Sequence, residues 1–210
     1  MEDYLDEQEQ WRQVVTWLRE SGPWMLGAII VVLLAYGGWN YWQGRVNRTD
    51  LAAEGRYEAM LTALDRGQLA LGSTLADALA HDYPGTPYAD QAELAAARIS
   101  VQNNQLSDAA AHLTRVLTGT HDPQLRVLAR LRLARVQIAQ GKPDEALRTL
   151  NDPTVKPGAF AARYAEVRGD ALLAKGDRAG ALQAYLAARA GADTVDAQLL
   201  DLKIDDLAHS

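Results

Sequence analysis

Residues 122–151 read DPQLRVLARLRLARVQIAQGKPDEALRTLN, two helical runs with a stop between them. Up to Gln140 the apolar residues return at intervals of three and four, and Leu, Ala, Arg and Gln are all good helix formers. Gly141 suits the position just past a helix C-terminus, and Pro143 suits a first turn, where its missing N–H costs little. The spacing predicts helices over 122–140 and 143–151, joined as a hairpin.

The same arrangement extends both ways along the chain. Helix pairs are expected over 50–67 with 73–83, 87–103 with 106–118, and 159–175 with 178–190, followed by a last helix over 194–207. Six of the seven prolines (Pro84, Pro87, Pro123, Pro143, Pro153 and Pro157) fall between these runs or in a first turn, where proline is tolerated. Asp108-Ala109-Ala110, Glu145-Ala146-Leu147 and Gly180-Ala181-Leu182 each open a second helix, spaced 37 and 35 residues apart. That is close to the ~34-residue period of tetratricopeptide repeats. A small residue where two helices cross is followed four positions later by a larger one: Ala109 with Leu113, Ala146 with Leu150, Ala181 with Tyr185. Ala97, Ala134 and Gly169 take the small position on the first helices. The usual repeat aromatics are mostly replaced by Leu and Ala, and the pair at 50–83 fits only as a hairpin.

The fold class expected is therefore all-α: a tetratricopeptide-like α-solenoid over residues 51–210. Such a stack has a concave face built from the first helix of each pair, and extended concave faces bind other chains. By repeat position Leu94, Arg98, Leu131, Arg135, Glu166 and Asp170 line that face. Against this, a leucine on a helix is more often core, and a lone Arg or Asp is usually solvated.

Ahead of the repeats, Trp24–Trp42 reads WMLGAIIVVLLAYGGWNYW, with no charged side chain. As a helix it covers about 28 Å, close to the hydrocarbon thickness of a bilayer. Trp24 at one end and Trp39, Tyr41 and Trp42 at the other are rings suited to the headgroup boundary. The run is expected to be a transmembrane helix. It is not read as a cleaved signal, because the residues before it are acidic and no small-x-small site follows. Residues 1–23 place Trp11, Val14, Val15 and Leu18 on one helical face before Ser21-Gly22-Pro23, expected to break the helix. That face could lie in the membrane interface or dock on a partner; equally, the segment could be a frayed helix that only delivers the anchor. Residues 43–50 read as a linker. Arg12 and Arg19 before the span, against Arg45, Arg48 and Arg56 after it, leave orientation undecided by charge.

Composition narrows the function classes. A net charge of −6 argues against nucleic-acid binding, which needs a clustered basic surface. With no cysteine, disulfides and thiolate chemistry are excluded. His81, His112, His121 and His209 are scattered, and no HExxH, glycine-rich phosphate loop or GxSxG elbow occurs, so the sequence supports neither an enzyme nor a metal or cofactor site. Asp205-Asp206 reads as a solvated pair. Arg126, Arg130, Arg132 and Arg135 spread around their helix instead of forming one stripe, with Arg126 and Arg130 expected to face solvent or an acidic partner.

Several stretches together resemble one family. These are the acidic start with Tyr4, Gly38-Trp39-Asn40-Tyr41-Trp42, Leu131-Arg132-Leu133-Ala134-Arg135-Val136-Gln137, Arg168-Gly169-Asp170-Ala171-Leu172-Leu173-Ala174-Lys175-Gly176-Asp177, and Leu202-Lys203-Ile204-Asp205-Asp206-Leu207. Tyr83-Pro84-Gly85-Thr86-Pro87-Tyr88-Ala89 is less specific. The chain is similar to the YfgM family, membrane-anchored tetratricopeptide-like ancillary subunits of the bacterial Sec translocon. The resemblance implies a single-pass bacterial inner-membrane protein with a cytoplasmic N-terminus and a periplasmic repeat domain. It implies partners as well: the SecYEG channel, the membrane-anchored chaperone PpiD, exported polypeptides handed to periplasmic chaperones, and a cytoplasmic link to the Rcs stress regulator. It implies no catalytic residues and no cofactor. Alternative readings are a scaffold for another envelope assembly and an envelope-stress regulator acting through residues 1–23.

Overall fold

The computed structural model describes residues 3–153, 155–191 and 194–208, with side chains described except at 3–16, 18–23, 25–26, 44–48 and 194–196. The chain divides into two compact units, residues 1–49 and 50–210.

The first unit is helical throughout its described length. It belongs to α1, Asp3–Asp65. The apolar face expected over Trp11, Val14, Val15 and Leu18 lies outside the described side chains. Ser21-Gly22-Pro23, expected as a break, instead sits inside the helix. One proline removes a single hydrogen bond, whereas ending and restarting a helix leaves four unpaired groups on each side of the gap; continuing costs less. Residues 43–50, read as a linker, are helical for the same reason. From Ile29 to Leu34, and at Tyr36, Trp39, Tyr41 and Trp42, the side chains are 52–70% exposed, so no face of this stretch is covered by protein. Trp39 and Trp42 stack at a tilt, centroids 5.7 Å apart. Among the described residues no helix is long and apolar enough to cross a membrane; Met25 and Leu26 of the expected span lie outside the described side chains.

The second unit is a stack of hairpins. The last turns of α1 pair with α2 (Leu69–Asp82), α3 (Pro87–Gln102) with α4 (Leu106–Gly119), and α5 (Pro123–Ala139) with α6 (Pro143–Leu150). After a short 3-10 turn at Gly158–Phe160, α7 (Ala161–Ala174) pairs with α8 (Arg178–Ala190), and α9 (Thr194–Ala208) closes the series. The core is correspondingly segmented. Met60, Ala76, Leu79 and Ala96 form one cluster, Leu94, Leu113, Val116 and Leu133 the next, Leu131, Leu150, Tyr164 and Val167 a third, and Ala181, Tyr185 and Leu200 a fourth. Each of α3, α5 and α7 contributes to two neighbouring clusters, the nearest-neighbour logic of a solenoid.

Local chemistry sets the hairpins. Thr86, Asp122 and Asp177 cap the N-termini of α3, α5 and α8 with side-chain oxygens, which accept from Ala89 N, from Gln124 and Leu125 N, and from Gly180 N. Each hairpin turns on a left-handed residue: Gly67 (φ 71°), Asn104 (φ 58°), Gly141 (φ 73°) and Gly176 (φ 85°). At all four the same pair of bonds closes the turn, one to the carbonyl three residues back and one from the next residue to five back, such as Gly67 N to Leu64 O with Gln68 N to Ala63 O. This is the Schellman arrangement, which needs positive φ and so takes glycine or asparagine. The four turns are spaced 37, 37 and 35 residues apart. The first hairpin, expected to fit only as a hairpin, therefore carries the same turn as the other three.

The small residues sit where helices cross. Ala97, Ala109, Ala134, Ala146 and Ala181 are 0–3% exposed. At Gly169 a Cβ would lie 2.4 Å from the Tyr185 ring, so α7 and α8 can approach this closely because that position has no side chain.

Candidate binding surface

The structure divides the six residues expected on the concave face. Leu94 and Leu131 are 6% and 2% exposed and belong to adjacent core clusters, because the first position of the register faces the next hairpin and not solvent. Arg98 and Arg135 are exposed. With Leu94 they surround one groove between α3, α4 and α5 of about 380 Å³. Leu94, Leu113 and Val136 form its buried floor, and Val101 and Leu106 its apolar wall. Arg98, Arg132 and Arg135 stand at the rim. Partial burial, followed by the charges of Arg135 and Arg98, pushes the Arg132 guanidinium below its usual value.

Glu166 and Asp170 are held by another part of the chain. Lys203 of α9 donates to Glu166 Oε1 and to Asp170 Oδ1, both at 2.8 Å. The Tyr185 hydroxyl donates to the same Asp170 oxygen at 2.8 Å, and Lys203 lies 5.3 Å from the Tyr185 ring centroid. Glu166 also meets Arg135 at 3.6 Å, which links the acidic pair to the groove rim. Burial alone would lower the lysine's pKa, but hydrogen bonds and charge from Asp170 and Glu166 raise it overall. Its contribution to stability is thus present below the ordinary lysine value and is lost as pH rises through the raised one. Lys203→Gln is expected to cost about 1–2 kcal/mol by leaving two half-buried carboxylates facing each other. Urea denaturation at neutral pH measures the loss, and hydrogen exchange should show it concentrated in α9.

The arginines of α5 also separate. Arg130, expected to face solvent or an acidic partner, has a side chain only 15% exposed and pairs with Asp152 at 2.7 Å. Arg126 donates to the Thr120 carbonyl. Both brace loops flanking α5. Asp152 follows α6 in the chain, so this pairing becomes possible only once the hairpin has closed.

A buried ionic cluster had no signal in the sequence. Glu93 on α3 and His112 on α4 are each 8% exposed. His112 Nδ1 lies 2.7 Å from Glu93 Oε2, and Arg115 Nε donates to Glu93 Oε1 at 2.7 Å. Burial raises the Glu93 pKa, but the hydrogen bonds and charges of His112 and Arg115 outweigh it and hold this carboxyl below the usual glutamate value. Nineteen and twenty-two residues separate the partners, and no local motif marks them. Among the described residues no group of three or more His, Asp or Glu is gathered for a metal ion; His209 lies outside them.

The tetratricopeptide repeat-like domain family matches residues 16–209. The chain is 33% identical to an ancillary SecYEG translocon subunit of Escherichia coli K12 over 209 residues, 99% of this chain and 100% of that protein. It is 29% identical to the protein of that name from Haemophilus influenzae, over 97% of this chain and 98% of the relative. The Neisseria gonorrhoeae protein of that name is 28% identical over 99% of this chain and 100% of its own length.

Proposed function

Because the chain belongs to the tetratricopeptide repeat-like family, and within it to the YfgM family of ancillary SecYEG translocon subunits, we propose that it is a non-enzymatic adaptor at the exit of the Sec channel. In this reading Trp24–Trp42 crosses the inner membrane once, the N-terminus is cytoplasmic, and the hairpin stack stands in the periplasm. There it receives newly exported polypeptides and passes them to periplasmic chaperones, acting with the membrane-anchored chaperone PpiD. The observation that carries the association is the end-to-end correspondence with these relatives. Support for the span is a nineteen-residue run without a charge, whose described apolar side chains are exposed all round the helix, as lipid would require. Tethering beside the channel raises the local concentration of clients, so weak contacts suffice.

Crosslinking in cells followed by mild-detergent purification tests the association. SecYEG subunits and PpiD are expected with the chain; recovery of neither overturns the proposal, and recovery of a different envelope assembly makes the chain a scaffold for that assembly. Protease added to spheroplasts should digest the repeat domain, and a protected, folded C-terminal half would refute the orientation. Deleting residues 1–23 while keeping the anchor is expected to spare export. Loss of Rcs signalling in that variant would assign a regulatory role to the cytoplasmic segment.

A further inference from the structure

Several basic side chains in the repeat unit have carboxylate partners: Arg56 with Asp82, Arg115 with Glu93, Lys175 with Asp144, Arg189 with Asp201. The groove between α3, α4 and α5 departs from this pattern. Among the described residues neither Arg98 nor Arg132 meets a carboxylate, and Arg135 has only the 3.6 Å contact with Glu166, whose other oxygen is taken by Lys203. Three like charges thus stand together over an apolar floor in a chain of net charge −6. Burial first, and then the charges of Arg135 and Arg98, hold the Arg132 guanidinium below its usual value. Crowding of this kind is relieved when an anion arrives.

Resting on the adaptor reading and adding the chemistry of its client, we propose that this groove binds a polypeptide segment that carries carboxylates beside apolar side chains. Arg98 and Arg132 would receive the carboxylates, and Val101, Leu106 and Ala139, standing over the buried floor, the apolar side chains. A guanidinium fork matches a carboxylate with two parallel hydrogen bonds. The apolar floor gives a small free anion nothing to bury, whereas alternating side chains of a segment lying along the groove satisfy both parts at once. The preference concerns acidic, amphipathic stretches and disfavours basic ones, whose charges would meet three arginines.

The test uses the full chain in nanodiscs of zwitterionic lipid. Fluorescence anisotropy is read for a dye-labelled peptide rich in Leu and Glu and for its counterpart with every Glu replaced by Gln. The acidic peptide is expected to bind about tenfold more tightly, with the preference shrinking as salt is raised. Arg98→Gln combined with Arg132→Gln should abolish the preference without lowering the melting temperature, since neither side chain has a carboxylate partner and removing two crowded like charges relieves repulsion. Arg98→Lys with Arg132→Lys should retain part of it, keeping charge and losing the fork. Equal binding of the two peptides, or an undiminished preference in the double Gln variant, overturns the proposal. So does displacement of the peptide by soluble short-chain phosphatidylglycerol at equal or lower concentration, which would make a lipid headgroup the occupant. Co-purification with channel subunits is scored in parallel. A lost peptide preference with intact co-purification sinks the groove assignment alone, and the converse sinks the translocon assignment alone.

Discussion

Tyr185→Ala is expected to destabilise the repeat unit by about 3–5 kcal/mol, in the range for emptying a large buried aromatic site. The ring is 1% exposed and rests on Gly169, with Lys203 over one face and Asp170 accepting from its hydroxyl. Removing it opens a cavity at the α7–α8 crossing and unseats α9. Tyr185→Phe keeps the packing and loses one hydrogen bond, so it should cost only about 1 kcal/mol. Gly169→Ala tests the same contact from the other side. In the native background its Cβ meets the ring at 2.4 Å and the clash outweighs the gain in helix propensity. In the Tyr185→Ala background the clash is gone, and the same change should be neutral or stabilising by up to about 1 kcal/mol. All five tryptophans precede residue 43, so circular dichroism in urea and hydrogen exchange are the suitable readouts. In a nearest-neighbour stack protection should fall first in α7–α9 while α3–α4 stays protected; uniform loss across the unit would refute the segmented core.

Glu93→Ala carries the second large effect, about 3 kcal/mol. Deleting one member of a buried ionic cluster strands the others, although Arg115, its side chain 53% exposed, can turn to water and so keeps the loss near the lower end. Glu93→Gln separates charge from shape. Because the folded-state carboxyl lies below the ordinary glutamate value, its ionised form contributes stability above the unfolded-state value. That contribution is lost as pH falls through the depressed folded-state value. The stability gap between the native chain and Glu93→Gln should therefore be widest near neutral pH and close on the acid side. A gap that does not change with pH would mean that Glu93 acts through packing and not through its charge.

Much of the repeat unit could be read along the chain. Gly141 and Pro143 mark one hairpin, and Ala109, Ala146 and Ala181 mark its recurrence, because a turn that needs positive φ and a crossing that admits only small side chains restrict which residues can stand there. The recurrence of Gly67, Asn104, Gly141 and Gly176 was equally present in the residues. It is masked because Asn104 replaces glycine and the first hairpin lacks the alanine pair, having Met60 and Gly72 at the corresponding places. The break expected at Ser21-Gly22-Pro23 was a local preference that helix continuity overrides.

Only part of the stripe expected on the concave face is exposed, and the reason is physical. Repeat position fixes which way a residue points from its own helix, and this was enough to place Arg98 and Arg135 on an exposed surface. Whether that surface is open depends on what other elements bring to it. Leu131 is covered by the neighbouring hairpin, Glu166 and Asp170 by a lysine more than thirty residues further on, and Arg130 by an aspartate that reaches it only when α6 folds back. The amino-acid sequence by itself determined the helices, their turns, the order of stacking and the charge-free run ahead of them, since each of these follows from contacts among near neighbours. Tertiary structure alone decided which charges find partners: ion pairing depends on distances across helices, and those are set by packing rather than by spacing along the chain. It therefore took the fold to gather Arg98, Arg132 and Arg135 over one apolar groove and to leave Arg98 and Arg132 there without a carboxylate.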